Sequence, residues 1–248
     1  MYHQISDLLR RWFPRVRAPA LQETLQQQEI DGVIRQLACS RFNIAWLAEY
    51  GIEPSLIIDA GSYDGGDALR FATAFPQSRV IAIEADPDRF AMVHRTLQTT
   101  RIEVQNVAVN DRDGPVDWYP TQIDGQPSDQ GSIYRQSEAL DQAFPFVRQS
   151  RHPITVSGRR LDSLCRELAI GQVDLLHMDI QGAEHVALRG LGTMRPKMIF
   201  LETQNDRKAW IGSATSAATR NLLRKIGYRM AADLRSDRLY VLAELAPL

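Results

Sequence analysis

Three carboxylates, each closing a short apolar run, are the side chains in this sequence best suited to grip a small polar ligand. Asp59 closes Leu56-Ile57-Ile58, Glu84 closes Val80-Ile81-Ala82-Ile83, and Asp179 closes Val173-Asp174-Leu175-Leu176-His177-Met178. Asp59 also opens the turn Asp59-Ala60-Gly61-Ser62-Tyr63-Asp64-Gly65. Glycines in such a turn let backbone approach a ligand closely, and the helix that follows presents unpaired N–H groups to an anionic moiety. Glu84 stands about 20 residues beyond Gly61, where a carboxylate can accept both hydroxyls of a ribose. The dinucleotide fingerprint Gly-x-Gly-x-x-Gly is absent, because Ser62 and Tyr63 fill positions that a pyrophosphate needs clear. The pattern therefore disfavours a nicotinamide dinucleotide and favours S-adenosylmethionine, whose carboxylate needs fewer donors. A plain tight turn is the bland alternative for the glycines. For the carboxylates it is a helix cap, a role we give to Asp86 ahead of Pro87.

The run His177-Met178-Asp179-Ile180-Gln181-Gly182-Ala183-Glu184-His185 delivers Asp179 to a strand end. There a carboxylate can act as general base on an acceptor hydroxyl or hold a divalent cation that acidifies it. His185 is a second candidate base. Glu184 is equally well explained as an acid in the first turn of a helix. Glu202 ends the next apolar run and precedes Thr203-Gln204-Asn205-Asp206. Asp179, Glu202 and Asp206 are thus candidate Mg²⁺ ligands, with a polar loop lining the pocket as the alternative.

These residues need a scaffold that brings several strand ends to one edge. From about Ser55, short apolar runs alternate with amphipathic segments, as in a parallel sheet wrapped by helices. The expected strands are 56–60, 80–84, Ile102 to Val109, 173–179 and 198–202. A helix from about Ser216 to Ile226 should end at Gly227, followed by strands at 228–234 and 238–244. Only three residues separate the last two, so they must be antiparallel. Residues 110–155 carry turn signals without a long periodic helix and read as an insertion. The expected fold is α/β: a Rossmann-like, mostly parallel sheet with an antiparallel final strand over 51–248. A helical N-terminal appendage over 1–50 is read from the spacing of Leu8, Leu9, Trp12, Leu21, Leu25, Val33, Ile34 and Leu37.

The chain has 248 residues, 44% of them hydrophobic, enough for one sizeable core. A formal net charge of −1 gives no global field for nucleic acid or an anionic membrane. Arg10, Arg11, Arg15 and Arg17 around Trp12-Phe13 read as a solvated face. Two cysteines without a Cys-x-x-Cys suggest neither a disulfide framework nor structural zinc. No run approaches the roughly 20 apolar residues of a membrane span, and the first residues lack the order of a signal peptide, so a cytoplasmic setting is expected. The partner expected is a small molecule or glycan hydroxyl, and a homodimer built on the N-terminal segment stays open.

Taken in order, these motifs resemble the FkbM-type methyltransferase family from about Ile57 to Thr203. Asp59-Ala60-Gly61-Ser62-Tyr63-Asp64-Gly65 resembles its cofactor loop, Glu84-Ala85-Asp86-Pro87 its ribose-binding strand end, and Asn106-Val107-Ala108-Val109 its third strand. Gly131-Ser132, Arg160-Leu161-Asp162-Ser163-Leu164 and Asp179-Ile180-Gln181-Gly182-Ala183-Glu184 complete the series. The resemblance implies a class I S-adenosylmethionine-dependent enzyme that methylates hydroxyls of sugars, polyketides or related natural products. It implies that Asp59, Gly61 and Gly65 hold the methionine end, with Ser62, Tyr63 and Asp64 in the same loop. Glu84 and Ala85 would then bind the ribose side, Asn106 and Val107 would lie near the adenine, and Asp179 would sit between cofactor and acceptor. Tyr63 and Gln181 depart from the family pattern, which commonly has a small polar residue and a glutamate there. A non-catalytic methyltransferase-like binding module and a nicotinamide-dependent oxidoreductase are the competing readings.

Overall fold

The computed structural model describes residues 26–30, 33–203 and 209–245. A hairpin of β1 (Gln26–Ile30) and β2 (Val33–Leu37) leads to the short helix α1 (Ala45–Glu49) and then to β3 (Leu56–Ala60). Next come α2 (Gly66–Ala74), β4 (Arg79–Ile83), α3 (Pro87–Leu97), β5 (Glu103–Gln105) and β6 (Ala108–Asn110). The insertion holds β7 (Gly114–Trp118), β8 (Thr121–Ile123), β9 (Gln126–Pro127), β10 (Arg135–Gln136), α4 (Glu138–Ala143) and β11 (Val147–Gln149). It ends in β12 (Ile154–Arg160), followed by α5 (Leu161–Glu167), β13 (Leu175–Met178), α6 (Glu184–Arg189) and β14 (Met198–Glu202). The chain closes with β15 (Trp210–Ile211), α7 (Ser216–Lys225), β16 (Tyr228–Leu234) and β17 (Asp237–Leu242).

Seven strands form the central sheet in the order β16-β17-β14-β13-β3-β4-β5. The five from β14 to β5 are parallel, whereas β17 runs antiparallel to both β14 and β16. Consecutive residues of the central strands feed opposite cores: Ile58, Ile81, Leu176 and Ile199 pack on one face, and Ile57, Val80, Leu175 and Phe200 on the other. A strand covered on both faces must be apolar at every position, which is why these strands read as continuous rather than alternating runs. The register sets Ala60 beside both Ile83 and Met178, and Met178 beside Leu201, so four parallel strands end level. The loops after those ends are where the site is built.

Two expectations need correction. Residues 26–30 and 33–37 are antiparallel strands, not a helix: Val33, Ile34 and Leu37 fit the spacing of a helical face, but their backbone is paired across to β1. The single strand expected from Ile102 to Val109 is two strands in different sheets: β5 edges the central sheet, while β6 pairs with β12 beside β7. The break falls at Asn106, whose side-chain amide donates to the carbonyls of Glu84 (2.8 Å) and Ala85 (3.2 Å) in place of the ladder. The helical spacing over 4–25, the arginine cluster around Trp12-Phe13 and Asp206 lie outside the described residues.

Candidate functional site

The turn after β3 is tied to the neighbouring strand before it can bend away, since the Gly61 and Ser62 amides both donate to the Ile83 carbonyl, at 2.9 and 3.1 Å. Gly61 (φ 86°) crosses so close to the loop after β13 that a Cβ there would lie 1.9 Å from the Asp179 carbonyl oxygen. Only glycine fits. Tyr63 follows in the left-handed region (φ 53°), an orientation that points its amide at Glu84 Oε2, 3.1 Å away. Glu84 Oε1 accepts from the Asp86 amide at 2.9 Å, so the buried carboxylate is held by two backbone donors with lone pairs left over for a ligand. Burial pushes its pKa up to about 7. Asp86 is the α3 cap, accepting from the amides of Asp88 (2.9 Å) and Arg89 (3.2 Å), and it also takes the Trp118 indole N–H at 3.3 Å. Through that bond the end of β4 fixes an aromatic wall contributed by the insertion.

A cleft runs along these strand ends, between the turn after β3, the end of β4, the insertion and the loop after β13. Of the residues singled out from sequence, Gly61, Tyr63, Glu84, Ala85, Val107 and Asp179 line it. Arg89, Trp118, Asp129 and Gly131 line it as well. Sequence reasoning placed none of those four in the site by role, although Gly131 stands in one of the motifs. Its Cβ would lie 2.7 Å from the Trp118 ring, a contact that no sequence pattern announces. The Arg89 guanidinium stacks 4.4 Å above the Tyr63 ring and donates to the Pro127 carbonyl, closing the cleft wall between α3 and the insertion.

Asp59, Ser62, Asp64, Gly65 and Asn106 do not line the cleft. Asp59 is fully buried beneath the turn, where its carboxylate accepts from Ser62 Oγ at 2.5 Å and meets His177 Nδ1 at 2.7 Å. Asp64 turns away and accepts from the amides of Ala38 (2.8 Å) and Gly66 (3.0 Å). Gly65 serves as the left-handed residue before α2 (φ 86°). These residues shape the turn from below. His177 is a further residue of this cluster, and only its pairing in register with Asp59 on adjacent parallel strands shows it, which no sequence pattern announces.

Asp179 lines the other end of the cleft, and Glu202, which does not line it, meets Asp179 carboxyl to carboxyl. Burial and the neighbouring Asp179 hold the Glu202 pKa well above the carboxylate range, so Glu202 keeps its proton and donates it to Asp179. Asp179 reaches the cleft surface, but crowding by protein lifts its pKa to about 6, with Asp237 and Asp129 adding to the rise. Gln181 Nε2 donates to Asp179 Oδ1 at 2.8 Å and reaches Glu202 Oε2 at 3.4 Å. Gln181 itself is left-handed (φ 51°), and its carbonyl accepts from Ser132 Oγ at 2.8 Å, which explains the Gly131-Ser132 motif. Glu184 resolves to the bland alternative, with one carboxylate oxygen accepting from the amides of Ile180 and Gly182, both at 3.2 Å. His185 is not a cleft residue, because its ring faces Thr219 Oγ1 of α7 at 3.4 Å. Among the described residues no group of three His, Cys, Asp or Glu side chains is disposed to hold a metal ion. Likewise, no helix among them is long and apolar enough to cross a membrane.

The FkbM methyltransferase domain model matches residues 59–230. Over 173 residues the chain is 32% identical to the 2-O-methyltransferase NoeI of Sinorhizobium fredii, covering 68% of this chain and 70% of that protein. It is 26% identical over 147 residues to Methyltransferase 1 of Beauveria bassiana, covering 56% of this chain and 59% of that one. Among solved structures, the SAH-bound methyltransferase PaMTH1 of Podospora anserina superposes with a TM-score of 0.44 at 11% identity, covering 82% and 79% of the two chains. A putative O-methyltransferase from Klebsiella pneumoniae gives 0.43 at 12% identity, covering 97% and 88%. The matched span opens at the buried Asp59 beneath the turn after β3 and closes at Met230 in β16, and the chain accordingly belongs to the FkbM methyltransferase family, as an S-adenosylmethionine-dependent methyltransferase.

Proposed function

We propose that the chain methylates a hydroxyl oxygen of a sugar, glycan or related natural product. The carrying observation is Asp179, set on the cleft surface directly after the crossing that requires Gly61 and bonded there to Glu202, which does not itself line the cleft. The naming of its relative NoeI as a 2-O-methyltransferase supports oxygen as the acceptor atom. The donor set also fits the cofactor: a buried carboxylate with spare lone pairs suits two vicinal hydroxyls, and a turn with no room for a Cβ suits a ligand held against backbone.

S-Adenosylmethionine supplies a methyl group on a positively charged sulfur, open to in-line displacement by an oxygen. Glu84 would accept the ribose hydroxyls, and Ala85, Val107 and Trp118 would cover the apolar part of the nucleoside. The Gly61 turn would hold the amino-acid end. Asp179, with a pKa near 6, is ionised at neutral pH and sits where it can take the proton of an acceptor hydroxyl. Glu202 donates to Asp179 and fixes the direction of its free lone pairs. Alignment alone can supply several kcal/mol, so one weak base suffices. In this reading the two carboxyls share a proton and no Mg²⁺ is required, so turnover should survive EDTA. A cytoplasmic setting is part of the same proposal.

The test is calorimetric titration with S-adenosylmethionine, S-adenosylhomocysteine and NAD, followed by methyl transfer to a panel of hydroxylated acceptors. Asp179→Asn should keep S-adenosylhomocysteine binding and lose turnover by roughly 100-fold or more. Undiminished turnover would remove Asp179 from the chemistry, and binding of NAD alone would restore the oxidoreductase reading.

A further inference from the structure

The segment that precedes the matched family domain runs beneath the cofactor turn and is fastened there. The Ala38 amide donates to Asp64 Oδ2 at 2.8 Å and the Ser40 amide to Asp67 Oδ2 at 2.7 Å. The fit is close enough that a Cβ on Gly66 would lie 1.9 Å from the Ala38 carbonyl oxygen. Arg70 braces the same corner, donating to Asp67 Oδ1 at 2.7 Å and to the Ser40 carbonyl at 3.2 Å.

The Ser40 hydroxyl ties this segment to the sheet. It donates to Asp67 Oδ1 at 3.1 Å and meets His177 Nε2 at 2.9 Å. The other ring nitrogen of His177 meets Asp59 Oδ1, and the second Asp59 oxygen accepts from Ser62 Oγ. His177 stacks on Phe200 with centroids 5.5 Å apart and takes Phe71 edge-on at 5.7 Å, which fixes the ring plane. One line of hydrogen bonds thus runs from Ser40 through His177 and Asp59 to Ser62, next to Tyr63, whose amide faces Glu84. Ser40, His177 and Asp59 appear in the order of a hydrolytic triad, but none of them lines the cleft and the serine proton is committed to Asp67. The arrangement is a brace.

We infer that Ser40 and His177 are positioning residues for cofactor binding, clamping residues 38–40 beneath the turn so that Gly61 and Tyr63 keep the conformation the cofactor meets. Tyr63 requires such a brace because it holds a backbone conformation that non-glycine residues adopt only when their surroundings enforce it. The inference rests on the cofactor reading above and adds that residues outside the family domain complete the site.

The test is the dissociation constant of S-adenosylhomocysteine, measured by calorimetry on the full chain. Ser40→Ala should weaken binding on the order of tenfold, and Ser40→Thr, which keeps the hydroxyl, should restore most of the loss. His177→Gln, measured alongside, should weaken binding similarly and keeps the test decisive if Ser40→Ala expresses poorly. Wild-type affinity in Ser40→Ala, or equal losses in the alanine and threonine variants, would overturn the inference while leaving the cofactor reading intact. Failure of the wild-type chain to bind S-adenosylhomocysteine would overturn both.

Discussion

Asp179 and Glu202 are close enough that one suppresses the ionisation of the other, so at neutral pH the pair carries one proton, held on Glu202. A base of this kind must be deprotonated to act, and turnover should therefore rise with pH through about 6 and then level off. Glu202→Gln keeps a donor toward Asp179 and should retain much of the rate, whereas Glu202→Ala should lower it several-fold; both are read from the pH–rate profile. Glu84 behaves differently because its partners are backbone amides and the task proposed for it is binding. Ionised, it accepts two hydroxyls better than its neutral form does, so affinity for S-adenosylhomocysteine should increase as pH rises through about 7. Glu84→Gln should weaken that affinity on the order of tenfold and flatten the pH dependence, as calorimetry at pH 6 and 8 would show. Both carboxylates were legible in the sequence because each ends an apolar run. Asp59 was equally visible, but its direction was not: only the register with β13 shows that His177 turns it inward.

The cofactor turn is an element whose shape is decided by what crosses it. Gly61→Ala would set a methyl 1.9 Å from the Asp179 carbonyl, so either the turn or the loop after β13 must move. The expected result is destabilisation on the order of 3 kcal/mol together with loss of cofactor binding, read by chemical denaturation and calorimetry. Gly114→Ala is the contrast: although φ is 119° there, nothing lies within 4 Å, so any cost is backbone strain remote from the cleft and cofactor affinity should hold. At this scale the sequence was informative wherever a strand is covered on both faces, and the antiparallel close of β16 and β17 followed from a three-residue connection alone. It was misleading over 26–30 and 33–37, where apolar residues at helical spacing belong to paired strands. It was incomplete at 102–109, where one asparagine side chain replaces a ladder bond and sends the chain to a second sheet. A periodic pattern records burial, and it does not record which partner strand the backbone finds.

Across the whole molecule, the level ending of four parallel strands gathers buried acids at one edge, and this has a consequence for stability. Burial raises the pKa values of Glu84 and Glu184 to about 7 and of Asp64 to about 6, and it is also the main cause of the rise at Glu202. Charged neighbours raise that of His177, with Asp67 and Asp59 outweighing its burial. Each of these groups holds its proton more tightly in the folded chain than in the unfolded one. The contribution of each is therefore full below its ordinary value and is lost as pH rises through its folded value, about 6 for Asp64 and about 7 for Glu84 and Glu184. The lowered acids act oppositely: Asp162 and Glu103, paired with Arg160 and Arg79, lose their contribution only on strong acidification. Asp174, held low by Lys197 and Ser55 against its burial, behaves the same way. The two sets together place maximum stability of the ligand-free chain on the acid side of neutrality. The thermal midpoint should fall by several degrees between pH 5 and pH 8, at roughly 2–4 °C per kcal/mol for a chain of this size. Bound S-adenosylhomocysteine should shrink that fall, because a ligand that prefers ionised Glu84 stabilises the folded state more at pH 8 than at pH 5. A midpoint that climbs steadily from pH 5 to pH 8 without ligand would mean that these acids ionise at no cost, and the buried, water-poor strand edge described for this site would be wrong.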